Sequence, residues 1–208
     1  MFGLLRCLLG LVVSLICFFV FRKLHVERKI VCYLSSVIIG ILVASVAGVF
    51  PVENNYASFN SPESAFLYYN PDVTAVELVV PGEYADMVIG KKDETYVHTF
   101  LPKSDGQWKI GTGLNSKKIA YRIMANAVIH LFQYADTSDF FIVVVDTVGN
   151  TLEISDSRCS TFFITEQDNS GLGKKTTTYY TYVSEMDTQY SLTVDGNIIS
   201  FTEDELSA

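Results

Sequence analysis

The order of apolar and polar positions changes twice along the chain. Residues 7–21 and 30–50 contain no charged side chain, while the segment between them, 22–29, contains Arg22, Lys23, Glu27, Arg28 and Lys29. At about 1.5 Å of rise per helical residue, the second run matches a hydrocarbon core about 30 Å thick. The first run is shorter and gains reach if residues 2–5 join it and Arg6 snorkels to the headgroups. The pattern predicts a transmembrane hairpin over residues 1–50, with helices at about 2–21 and 30–50 and a connector at 22–29. Residues 51–60 read as a linker of Pro, Asn, Ser and Ala, and 61–208 as a folded domain.

That domain opens on a short helix. Ser61 suits the N-cap, Pro62 the first helical position and Glu63 the positive end of the helix dipole; Asn70-Pro71 stops it. From residue 73 onward the period becomes two, with many β-branched and aromatic residues. Strands are expected at 73–80, 85–90, 96–101, 107–111, 128–134, 140–147, 151–155, 161–165, 176–183, 190–194 and 198–201. Segment 117–124 alternates like a strand through Ile119, Tyr121 and Ile123, yet Ile119 and Ile123 also fit a helical turn; we read it as strand. Asp105-Gly106, Gly149-Asn150 and Asp195-Gly196 are predicted hairpin turns, Trp108 a core anchor and 167–175 a loop. Glu83-Tyr84-Ala85-Asp86 and Gln133-Tyr134-Ala135-Asp136 echo one another, as duplicated β-units would. The fold class is α+β and mostly β: two transmembrane helices, then an antiparallel β-rich domain with one short helix.

Basic residues in short loops beside membrane helices favour the cytoplasm. The connector's four cations therefore place both chain ends, and the β-rich domain, outside the cytoplasm at a plasma membrane. Two other readings of the N-terminus compete: a late signal peptide cut after Ser45-Val46-Ala47, and a lipoprotein using Cys17. The first needs an apolar region longer than the usual 7–15 residues, and the second meets bulky Leu15 and Ile16 where small residues are wanted. Ser36, Gly40, Ala44 and Gly48 recur every fourth residue, so they share one helix face on which backbones can approach closely. Gly10 and Ser14 offer the matching ridge within the hairpin; the alternative use is a homodimer seam through Ser36, Gly40, Ala44 and Gly48.

Charge sharpens the division. Residues 1–50 hold five basic groups and one acidic, whereas the following 158 hold ten basic and 22 acidic, net −12. That balance argues against nucleic acid as a partner. The outer domain is long enough for a sizeable core. Its one cysteine, Cys159, precludes an internal disulfide, and no Asn-X-Ser/Thr acceptor occurs anywhere in the chain. An outside domain lacking both looks bacterial.

No arrangement of residue types announces catalysis, a cofactor or a metal, and no residue is assigned to any of these roles. His25, His98 and His130 lack metal-ligand spacing, and the last two fall at half-exposed strand positions. Cys159 with His130 would make a nucleophile–base pair only if the fold joined them. Asp136, Asp139, Asp156 and Asp168 fit no calcium loop and read as solvated. The Gly171-Leu172-Gly173-Lys174-Lys175 run lacks the flanks of a phosphate loop. Tyr68 with Tyr69, and Tyr179, Tyr180 and Tyr182, form aromatic clusters suited to core filling or to a binding face.

Ser-Pro-Glu-x-Ala-Phe at 61–66, Asp-Gly-x-Trp-Lys-Ile at 105–110 and the strand-turn-strand at 190–201 resemble elements of uncharacterised membrane-anchored extracytoplasmic proteins of Gram-positive bacteria. The resemblance implies compartment and fold class and carries no functional residue. The expected function is that of a binding or interaction module for a protein or cell-envelope component. The alternatives are an envelope-acting hydrolase with dispersed carboxylates and an accessory subunit working through its membrane helices.

Overall fold

A computed structural model of the chain describes residues 2–23, 29–49, 52–55, 57–93, 95–111, 115–149, 151–169 and 174–206. Its contacts divide the chain into two units, Met1–Tyr56 and Ala57–Ala208. Elements of the first are α1 (Phe2–Lys23), α2 (Lys29–Val49) and a 3-10 turn, Val52–Asn55. Those of the second are, in order, α3 (Pro62–Tyr69), β1 (Ala75–Val80), β2 (Ala85–Lys92), β3 (Thr95–Ser104), β4 (Gln107–Trp108), β5 (Ser116–Ile123), β6 (Ala127–Tyr134), β7 (Asp139–Asp146), β8 (Ile154–Asp156), β9 (Phe163–Asn169), β10 (Lys174–Ser184), β11 (Ser191–Val194), β12 (Asn197–Ser200) and α4 (Glu203–Leu206).

In the first unit small residues let the helices touch. A Cβ added at Gly10 would lie 2.6 Å from the Gly40 carbonyl oxygen and 2.9 Å from the Ala44 Cβ. One added at Gly40 would lie 2.7 Å from the Gly10 carbonyl oxygen and 2.8 Å from the Ser14 Cβ. The small-residue ridge is thus occupied within the chain, and farther along the antiparallel pair the Phe18 and Tyr33 rings stack at 5.2 Å. Ser36 donates to the Cys32 carbonyl, so its hydroxyl needs no water. Leu11, Ile16, Ile30, Ile38 and Ile41 point outward and are more than half exposed, an apolar exterior suited to lipid.

One helix rather than the expected two is long and apolar enough to cross a membrane among the described residues: α2, over Ile30–Ala47, with mean hydropathy 2.5. The charge-free run of α1, residues 7–21, spans only about 22 Å at 1.5 Å per residue, short of a hydrocarbon core of about 30 Å.

The second unit is a stack. β1 to β4 form an antiparallel meander, and β5-β6-β7-β10-β9 is the central sheet. A third sheet, β12-β11-β8, closes the far side. The central sheet is covered on both faces, so β7 reads as an unbroken apolar run. Phe140, Ile142 and Val144 face Leu192, Val194 and Phe201, while Phe141 and Val143 face Met87, Ile89 and Phe100. Outside the meander, α3 buries Ala65 and Phe66 against Val88 and Leu101. Phe66 fits because Gly90 leaves space; a Cβ there would lie 2.3 Å from its ring.

The meander and the central sheet are joined by a carboxyl group. Asp139, at the start of β7, has no exposed surface. It accepts hydrogen bonds from the backbone amides of Glu83 (3.2 Å), Tyr84 (2.7 Å) and Ala85 (2.9 Å) and from the Tyr182 hydroxyl (2.9 Å). Burial, and then this bond to Asp139, push the Tyr182 phenol above the ordinary tyrosine range. Asp86 makes a second joint, accepting from Trp108 Nε1 at 2.7 Å and from Lys103 Nζ at 3.2 Å. Trp108 also pairs with Phe59 through both backbone groups, tying the chain's entry into this unit to the sheet.

The helix capped by Ser61 and the expected strands are observed, with shifts of one to four residues at most of their ends, and 117–124 is strand. Asp105-Gly106 and Asp195-Gly196 both adopt positive φ and close the β3–β4 and β11–β12 hairpins. Two expectations are corrected. The turn at Gly149 joins no hairpin, because β7 pairs with β6 and β10 whereas β8 pairs with β11. There Asp146 Oδ1 accepts from the amides of Val148 and Gly149, redirecting the chain to the third sheet. The expected loop 167–175 is largely ladder, with Thr176 opposite Gln167 and Lys174 opposite Asn169. The pairing of β9 and β10 continues beyond the core, so polar side chains extend the strands there. The two Tyr-Ala-Asp echoes differ in setting: the first leads into β2, while the second closes β6 with Ala135 at φ +48°.

Two expected outcomes follow. Asp139→Ala strands three amides and a hydroxyl, each costing about 1–3 kcal/mol, and lowers stability by about 3 kcal/mol or more, whereas exposed Asp136→Ala changes it by less than about 0.5 kcal/mol. Urea unfolding of the chain in micelles, followed by the fluorescence of its single tryptophan, measures both. Gly40→Leu separates the helices. A disulfide between cysteines placed at Phe18 and Tyr33, in a chain whose native cysteines are serine, should form readily with Gly40 and poorly with Leu.

Candidate functional site

The residues singled out in the sequence do not converge. Cys159 is exposed in the turn after β8, and His130 lies on the face of β6 directed away from β8, so no nucleophile–base pair forms. Asp136 is exposed in the β6–β7 turn, while Asp139 is a buried joint. Asp156, expected to be solvated, is also buried and accepts from the Tyr190 hydroxyl at 2.9 Å and from the amides of Arg158 and Ser160. Burial opposes ionisation of Asp156, but these donors together hold its carboxyl below the usual aspartate range. No group of three or more metal-ligating side chains occurs among the described residues. His25 and residues 171–173 lie outside the described residues. Tyr179 faces the third sheet, and Tyr180 and Tyr182 face the meander, so that cluster fills cores. Tyr68 is exposed on α3.

The fold instead brings together residues that were read separately. At the end of the stack remote from Asp139, the meander and the central sheet part to leave an open groove of about 290 Å³. From β3, Tyr96 and His98 project into it on the same alternation as core residue Phe100. From β6, His130 and Phe132 face them, and the floor is Val143 and Val145 of β7. Gln167 of β9 with Thr176, Thr178 and Tyr180 of β10 complete the far wall. His98 lies 5.5 Å from the Phe132 ring and 5.9 Å from Phe100, while His130 stacks on Phe132 at 6.0 Å and meets Tyr121 at 5.1 Å. Tyr96 crosses between the sheets and donates its hydroxyl to the Glu166 carbonyl at 3.1 Å.

Two polar features of the groove matter chemically. His130 Nδ1 is buried and has no hydrogen-bond partner among the described residues, an uncommon condition for a buried nitrogen. Both imidazoles are also held neutral. His98 is exposed on β3, yet the protein atoms around its ring desolvate it enough to lower its pKa from the ordinary 6.5. For His130 desolvation is again the largest cause, followed by the Lys118 ammonium and then by His98. A sequence signal for the site did exist: in Tyr96-Val97-His98-Thr99-Phe100 and His130-Leu131-Phe132, each histidine shares the strand face of an inward aromatic residue.

The lowered pKa values fix a pH dependence. Below the ordinary histidine value of 6.5 the unfolded chain binds more protons than the folded one, so stability falls as pH drops through that region and is complete above it. Unfolding midpoints of the chain in micelles, measured by tryptophan fluorescence between about pH 8 and pH 5, should show this loss. The double substitution His98→Gln, His130→Gln should flatten it.

No family model, curated protein or solved structure matches the chain, so the groove is read from its own residues.

Proposed function

We propose that the chain is a membrane-anchored binding module whose β-rich unit lies outside the cytoplasm and engages a protein or cell-envelope component through this groove. The observation that carries the reading is the lining, where aromatic rings, hydroxyl groups and two imidazoles gather around one open groove. Concave sites of this kind, mostly apolar with a few oriented polar groups, are where small ligands and protruding side chains bind.

α2 supplies the anchor. α1 crosses beside it through the contact of Gly10 with Gly40, its short run extended by residues 2–5 with Arg6 at the headgroups. The cations of 22–29 face the cytoplasm, which places the β-rich unit on the opposite side. This compartment agrees with the resemblance to membrane-anchored extracytoplasmic proteins of Gram-positive bacteria. A homodimer would need a face other than the one α1 occupies.

Hydrolysis of an envelope polymer requires two carboxyl groups converging on a cleft. The groove has none among its lining residues, and Asp86, Asp139 and Asp156 are engaged by donors of the fold itself, which supports binding over catalysis.

A reporter fused after Ala208 should be active outside the cell; cytoplasmic activity would reverse the orientation. The immobilised chain in micelles should retain a component of a solubilised cell-envelope extract, and Phe132→Ala should lose it. Equal retention by that variant would remove the groove from the function.

A further inference from the structure

The lining of the groove narrows its ligand. None of its eleven residues is charged, although this unit carries ten basic and 21 acidic side chains. Charged side chains stand beside the lining and not in it, among them Lys118, opposite Phe132 in register, and Glu77 and Glu166, whose charges act on Tyr96. An anion would meet no cation in the lining and would be repelled by the unit's net −11; a cation would meet no carboxyl group. A purely apolar guest would cover imidazole, hydroxyl and amide groups without replacing their water, which costs free energy for each.

We infer that the groove binds an uncharged sugar ring, one unit of a neutral saccharide lying against Phe132 with its hydroxyls meeting the His130 imidazole and the polar groups of β10. The inference rests on the reading of the groove as a binding site and gives it a ligand class. A sugar has an apolar face of polarised C–H groups, which the negative face of an aromatic ring attracts, and an equatorial rim of hydroxyls that both donate and accept. A neutral imidazole also donates at one nitrogen and accepts at the other, so the histidines of the lining suit a hydroxyl in either sense. Size agrees: 290 Å³ is near the lower limit of small-molecule sites, about 300 Å³, room for a ring or two and not for a folded partner. Facing sheets stand about 10 Å apart, leaving a slot that a single flat ring layer can enter.

The test uses the full chain in a zwitterionic detergent, because a detergent with a sugar headgroup would compete. Calorimetric titration compares neutral tetramers of glucose and of N-acetylglucosamine with a cationic glucosamine tetramer and an anionic galacturonate tetramer. A neutral tetramer should bind at least about tenfold more tightly than either charged one, and Phe132→Ala and His130→Phe should each weaken it by about tenfold. Asp136→Ala should leave binding unchanged, and tryptophan fluorescence identifies any variant that has unfolded. Absence of saturable binding by both neutral tetramers, or equal binding of charged and neutral ones, overturns the inference. If the envelope component is still retained in a Phe132-dependent way, the groove stands as a binding site and only the ligand class falls. If a neutral tetramer binds and folded Phe132→Ala binds it equally, the groove reading falls as well.

Discussion

A carboxyl group with no exposed surface keeps its place in a protein interior only where donors replace the water it has lost. Asp139 obtains them from a turn 54 to 56 residues earlier in the chain, and a fourth from Tyr182. That joint stands at the head of the apolar contacts between the meander and the central sheet. Once the 83–85 turn is fixed at the head of β7, β2 and β3 lie over it in register. Met87, Ile89 and Phe100 then reach Phe141 and Val143, and the outer face of β2 is presented to Phe66.

The same device recurs. Asp86, Asp139, Asp146 and Asp156 are all buried, and all stand at or beside strand ends, where turn amides have no ladder partner. An acidic unit thus consumes part of its acidity internally, as acceptors for backbone that changes direction. Asp146 does so with one oxygen at the crossing from the central to the third sheet. At the end of the stack where the two larger sheets part, the lining side chains are neutral. The polar residues thus divide by place: carboxyl groups hold the joints, while imidazole, hydroxyl and amide groups line the opening proposed as the binding site.

Much of the architecture was legible in the sequence. The helix behind Ser61, the twelve strands and the Asp-Gly turns follow from local rules of capping, alternation and positive φ, and these act over a few residues. Two local signals misled. Gly149 marked a turn correctly but could not say which sheet the next strand would join, since that depends on Leu192 and Val194 some forty residues on. The polar segment 167–175 looked like a loop because its strands outrun the core that would have given them apolar alternation. The groove was the least legible part. Its residues come from β3, β6, β7, β9 and β10, and only pairing across the sheets brings them to one place. The buried aspartates were missed for the same reason: burial of Asp139 depends on amides far away in sequence, so composition alone reads it as solvated.

The hydrogen bond from Tyr96 to the Glu166 carbonyl has a consequence for what can pass between the sheets. A phenol is rigid, and it spans from the meander to the edge of the central sheet at the groove end of the stack. It therefore acts as a spacer, fixing the gauge of the opening by the length of one ring. A guest thicker than that gauge must break the bond and pry apart two sheets that Asp139 holds shut at the other end, so the whole height of the stack resists as a lever. If the groove binds as proposed, its selection is by thickness before it is by chemistry, and the frame of the fold imposes it.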